Sequence, residues 1–133
     1  MRIVLLGATG LVGNHLLAKL LTDDAPHQIL AIGRTDPALP KQFKNTSQEV
    51  DSSNKPFKFI ASDFQTEEQV SRIIEAFQTE SAVDLLICCL GTTIKAAGSR
   101  QGFFHVDHDL VLASARAARQ CDIKRMMLIS AIN

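Results

Sequence analysis

The chain contains no tyrosine and no tryptophan among its 133 residues. A reaction that needs a phenol as its proton donor cannot be completed by these residues alone. An excess of one charge is also missing: 14 lysines and arginines balance 14 aspartates and glutamates, for a formal net charge of zero. That balance argues against a basic nucleic-acid binder and against a polybasic membrane anchor. The 3 cysteines are too few for a disulfide framework, and Cys88 and Cys89 are neighbours, so a reducing cytoplasm is the expected setting. Long hydrophobic runs are lacking too. The apolar start at residues 1–6 is interrupted by Gly7 and Gly10 before a signal peptide's core would be complete. The run at 83–90, with Asp84 inside it, is far too short to span a membrane. A soluble protein is expected, with no nucleic acid and no membrane among its partners.

What the sequence does have is a core and an alternation. Hydrophobic residues make up 46% and charged residues 21%, a balance that folds. Residues 2–6 form a β-branched and leucine run that stops at glycine, the mark of a buried parallel strand. Leu16, Leu17, Leu20 and Leu21 then recur at helical spacing within 11–21. Further strands are expected at 28–32, 57–61, 83–89 and 125–130. Helices are expected at 67–79, where Val70, Ile73, Ile74 and Phe77 share a face, and at 102–120. Strand and helix in turn imply right-handed crossovers and a doubly wound parallel α/β sheet, order 3-2-1-4-5. The stretch 35–56, with Pro37, Pro40, Pro56 and a polar run at 45–55, is expected to replace a regular helix by something short, irregular or partly mobile. The chain is read as one domain over 1–133. Because no helix follows the fifth strand, that domain is expected to be cut short, with its later strands missing.

The sharpest motif is Gly7-Ala8-Thr9-Gly10-Leu11-Val12-Gly13, set between the first strand and the first helix. A helix N-terminus offers unpaired N–H groups and a partial positive charge to phosphate. Glycines let the chain turn, let the backbone approach a pyrophosphate, and let helix and strand pack closely; Gly13 takes the last role. The end of the second strand selects the cofactor. A carboxylate there would bind the ribose hydroxyls of NAD; this chain has Gly33-Arg34-Thr35 instead. The planar fork of Arg34 suits a 2′-phosphate and Thr35 adds a hydroxyl, which favours NADP. Asp36 keeps NAD in play, and a merely solvated Arg34 is the opposing reading.

Asp63, past the third strand, either accepts from an adenine amino group or caps the helix near Glu67. Leu90, Gly91 and Thr92 end the fourth strand at the same edge. Cys88 and Cys89 read as core. His105, Asp107, His108 and Asp109 have a spacing that a metal site would use, but a polar helix surface is the reading preferred here. Lys95 and Arg100 are placed in a loop, facing a phosphate, an acidic substrate or water.

The stretches GATGLVG, GR, SDF, ICCLGTT and FFHVDHDLVLASARAA together resemble the atypical short-chain dehydrogenases, in the branch of the Tat-interactive protein oxidoreductases. The resemblance implies a Rossmann domain binding NAD(P)H. It implies that Gly7, Thr9, Gly10, Leu11 and Val12 line the pyrophosphate, that Arg34 holds the 2′-phosphate, that Asp63 and Phe64 flank adenine, and that Leu90, Gly91 and Thr92 run beside the ribose. It also implies a tyrosine, and a lysine four residues later, on a helix after the fifth strand; these positions are not in this chain. Ser130 is the one candidate catalytic side chain, although the family's serine or threonine usually falls slightly beyond it. The expected function is the cofactor-binding part of an NADP-dependent oxidoreductase acting on an unknown small carbonyl or alcohol. The alternative is an NADPH-binding sensor that regulates a partner without turnover. A homodimer is left open.

Overall fold

The computed structural model describes residues 1–37 and 57–130. Expectations for the proline-rich and polar stretch at 38–56, and for residues 131–133, lie outside the described residues. Five strands carry the fold: β1 (Arg2–Leu6), β2 (Gln28–Gly33), β3 (Phe57–Ala61), β4 (Leu85–Cys88) and β5 (Met126–Leu128). They pair in parallel in the order β3-β2-β1-β4-β5, as expected from the sequence.

Why these segments become buried parallel strands is visible in β1, whose five residues are all buried. Val4 and Leu6 point to one face, and Ile3 and Leu5 to the other, so from Ile3 onward the run must be apolar and not alternating. Helix α1 (Leu11–Leu21) covers the Ile3/Leu5 face with Leu16, Leu17, Leu20 and Leu21. Helix α2 (Glu67–Phe77) covers the opposite face with Val70 and Ile74. It starts at a capping box: Gln69 N–H donates to Thr66 Oγ1, and Thr66 N–H donates to the Gln69 side chain. The Asp63 cap anticipated from the sequence is therefore not how this helix begins. Two carboxylates in its first turn, Glu67 and Glu68, suit the positive end of the dipole.

The segment after β4 departs most from expectation. A short helix, α3 (Ile94–Ala97), is capped by Thr93 and ends at Gly98, so Lys95 sits on a helix and not in a loop. Helix α4 (Arg100–Phe104) starts at the Ser99 cap. The helix anticipated at 102–120 is continuous but not uniform: a π-helical turn, His105–Asp109, separates α4 from α5 (Leu110–Gln120). Leu110, Ser114, Ala117 and Ala118 of α5 are buried beside α2.

Register sets the upper edge of the sheet. Leu6 stands level with Ile32 and Cys88, so the chain leaves β1, β2 and β4 at one height, at Gly7, Gly33 and Cys89. β2 lies on one side of β1 and β4 on the other, which makes this the topological switch point, where such sheets open a crevice.

Candidate functional site

That crevice exists. A cleft of about 430 Å³ is lined by Gly7, Thr9 and Gly10 after β1, Gly33 to Thr35 after β2, Asp63 to Gln65 after β3, and Cys89 to Thr92 after β4. His105, Val106 and Leu110 form its remaining wall.

The floor is shaped by glycine. Gly7 has φ +81°, and a Cβ on it would fall 2.6 Å from the Cys89 carbonyl carbon and oxygen, so neither the conformation nor the space admits a side chain. Gly10 caps α1 with no side-chain hydrogen bond, and the first turn carries no acid. The N–H groups at this helix start are thus left to a ligand or water. Leu11, Val12 and Gly13 form that first turn; Leu11 is 78% exposed and Val12 50%, Gly13 is buried, and none of the three lines the cleft.

Arg34 and Thr35 are exposed at the cleft wall. Among the described residues, no hydrogen bond or ion pair engages the Arg34 guanidinium. Asp63 is exposed and accepts from Gln69 Nε2 at 3.2 Å. Phe64 is buried with φ 36°, a left-handed backbone that costs a side-chain-bearing residue on the order of 1 kcal/mol. Its N–H donates to Ser62 Oγ at 3.0 Å, holding the bend against the cleft. Leu90, Gly91 and Thr92 run along the cleft, and Thr92 N–H donates to Asp107 Oδ2 at 3.2 Å. Ser130, just past β5, is not among the lining residues.

The lining residues that the sequence did not assign to the cleft include Gln65, Cys89, His105, Val106 and Leu110. The two histidine–aspartate pairs of the π-turn do not gather a metal site, since no cluster of three or more ligand-type side chains occurs among the described residues. His105 instead meets Gln65 and Asp109, while His108 meets Asp109. Cys88 is fully buried, as expected of core. Burial pushes the thiols of both Cys88 and Cys89 up, which makes them poor nucleophiles.

An open helix N-terminus and a glycine floor fit a dinucleotide pyrophosphate, and Arg34 lines the same cleft at the end of β2. The sequence profile of the "NAD dependent epimerase/dehydratase family" matches residues 3–132. The chain belongs to that family. It therefore carries a nicotinamide-dinucleotide-binding domain of oxidoreductase type. It is 32% identical over 127 residues to "Protein fmp-52, mitochondrial" of Neurospora crassa, covering 95% of this chain and 46% of that protein. To "Protein HTATIP2" of Rattus norvegicus it is 33% identical over 129 residues, covering 96% and 46%. The chain thus spans about half the length of these curated relatives. Among solved structures, the oxidoreductase ylbE from Lactococcus lactis is 26% identical with a TM-score of 0.68, covering 99% of this chain and 49% of that one. The UDP-glucose 4-epimerase from Bifidobacterium longum, in complex with NAD+ and UDP, shares the fold at 15% identity and a TM-score of 0.72, covering 98% and 37%.

These family members support the resemblance to atypical short-chain dehydrogenases and correct one expectation. The fmp52 relatives are named mitochondrial, which overturns the cytoplasmic assignment. Unpaired cysteines do not name a compartment. No helix among the described residues is long and apolar enough to cross a membrane.

Proposed function

We propose that this chain is the NADP(H)-binding part of an oxidoreductase that exchanges a hydride with a small carbonyl or alcohol. The observation that carries the reading is Arg34. Its guanidinium stands at the end of β2, lines the cleft beside Gly7 and Gly10, and has no partner among the described residues. A planar fork in that position recognises a phosphate bidentately and repels nothing on a 2′-phosphorylated ribose.

The other lining residues take roles consistent with it. Gly7, Thr9 and Gly10 receive the pyrophosphate, with Leu11, Val12 and Gly13 supplying the helix turn behind it. Asp63 and Phe64 sit at the adenine, and Leu90, Gly91 and Thr92 at the ribose. When bound, the nicotinamide supplies the hydride chemistry, while these residues bind and orient it. Proton transfer to the substrate oxygen is assigned to a group outside the present residues, since this chain holds no tyrosine.

Calorimetric titration with NADPH and then NADH tests the proposal and suits a chain without tryptophan. Tighter binding of NADPH is expected. Equal or preferential binding of NADH would remove the 2′-phosphate role, and failure of both would remove the nucleotide reading.

A further inference from the structure

One polar bridge crosses the cleft. Gln65, between β3 and α2, and His105, at the start of the π-turn, both line it, and Gln65 Oε1 lies 2.7 Å from His105 Nε2. The two residues are 40 positions apart in sequence, so this contact joins two walls that come from different parts of the chain. The Gln65 amide is held in one orientation, because its Nε2 donates to the Asp63 carbonyl oxygen at 2.9 Å. The atom turned to His105 is therefore an acceptor. On the other side of the ring, His105 Nδ1 lies 3.3 Å from Asp109 Oδ2, a second acceptor. A neutral imidazole has one N–H and can satisfy only one of them, whereas an imidazolium satisfies both.

We propose that Gln65 and His105 form a clasp that retains the adenosine half of the dinucleotide, and that protonation of His105 closes it. This rests on the nucleotide reading above. The Asp109 carboxyl is held below the ordinary aspartate range, first by the hydrogen bond from His108 and further by that from His105, against a partial offset from desolvation. It thus remains an anionic acceptor for His105 at neutral pH.

The charged and titratable groups around the clasp come from each neighbouring element. His108 and Asp109 lie on the π-turn itself, and Asp107, on the same turn, is engaged by the Thr92 N–H. Asp63 follows β3 and is bonded to Gln69; Arg34, after β2, lines the same cleft. Of these side-chain types, histidine alone ordinarily changes charge between about pH 5 and 8. His108 stacks on Phe104 with ring centroids 4.4 Å apart and does not line the cleft, so it serves as the control.

The test measures affinity and dissociation rate for both NADPH and NADH from about pH 5.5 to about 8.5, in the wild type, His105→Gln, Gln65→Ala and His108→Gln. Wild-type binding is expected to weaken about fivefold as pH rises, for NADH as well as NADPH, so that titration of the 2′-phosphate is not the cause. His105→Gln, whose amide donates to Gln65 without titrating, should lose the pH dependence and bind with one affinity across the whole range. Gln65→Ala should bind about fivefold more weakly at the acid end, with a faster off-rate. His108→Gln should keep the wild-type profile. A pH slope that survives in His105→Gln, or Gln65→Ala binding like the wild type at the acid end, overturns the clasp, as does a flat wild-type profile. A wild type that binds neither nucleotide at any pH overturns the nucleotide reading and the clasp with it.

Discussion

The carbonyl oxygen of Gly7 occupies the place a side chain on Gly13 would need: a Cβ at Gly13 would fall 2.1 Å from it. β1 and α1 are packed backbone to backbone at this point. Gly13→Ala should therefore destabilise the fold by about 1–3 kcal/mol, as overpacking does, read as a lower urea midpoint at unchanged slope. Gly10 is different, since a Cβ there would meet the Gly7 oxygen at an ordinary 3.5 Å. Gly10→Ala should cost less than about 1 kcal/mol of stability, yet weaken NADPH because the methyl group stands where the phosphates approach. Unchanged NADPH affinity in Gly10→Ala would move the pyrophosphate away from this turn.

Reversing the charge at Arg34 separates the two cofactors. Arg34→Asp should weaken NADPH by roughly tenfold or more, the loss expected of a charge-assisted contact, and should leave NADH unchanged or improved. Parallel losses for both cofactors would place Arg34 away from the 2′-position.

Asp107 pins the loop after β4 through the Thr92 N–H. Asp107→Ala should cost about 1 kcal/mol and accelerate amide hydrogen exchange at Thr92, whereas Asp107→Asn keeps an acceptor and should recover most of both. Equal exchange rates in all three proteins would show that the bond does not restrain the loop.

Acid should expose the aspartates. The Asp23 carboxyl is held below the ordinary 3.8 chiefly by its hydrogen bond with His27, and Asp109 chiefly by its bond with His108. A carboxylate depressed in the folded state contributes stability that is present above its unfolded value and is lost as pH falls through the folded one. Thermal melts taken downward in pH from the ordinary aspartate range should show progressive loss, less steep in Asp109→Asn. An identical slope in that variant would remove Asp109 from the acid response.

Cys89 lines the cleft while Cys88 and Cys121 are buried. With its thiol pushed up by burial, Cys89 should alkylate slowly at neutral pH, faster as pH rises, and ahead of the other two. NADPH should slow the labelling. Labelling indifferent to the cofactor would mean that the cleft stays open when the cofactor is bound.

Much of this architecture was legible in the residues because burial on both faces leaves no alternative pattern. The β1 run from Ile3 to Leu6 must be apolar at every position, and the leucines of α1 must recur at helical spacing. The glycine turn was legible from its place between a strand run and a helical run, where glycines let the chain turn and approach a phosphate. What escaped depended on contacts between distant segments. Asp63 was open to two readings, an adenine partner or a helix cap, and the cap reading fails because Thr66 with Gln69 closes the box one turn nearer. His105 looked like helix surface because nothing near it in sequence reveals Gln65. The π-turn was hidden altogether: one extra residue in a turn leaves no periodic trace in a segment only five residues long.

That extra residue is taken up locally. Successive helical residues are about 100° apart around the axis, and the wide turn absorbs that offset, so His105 and Asp107 address the cleft loops while Leu110, Ser114 and Ala117 address the core. Removing one residue between 105 and 109 would let the regular helical bonding run through, and the two halves would keep their facing because the wide turn already absorbs the extra residue. Both sets of contacts would then survive. In comparing relatives, a single-residue gap here should be read as the loss of a bulge and not as a rotation of the helix.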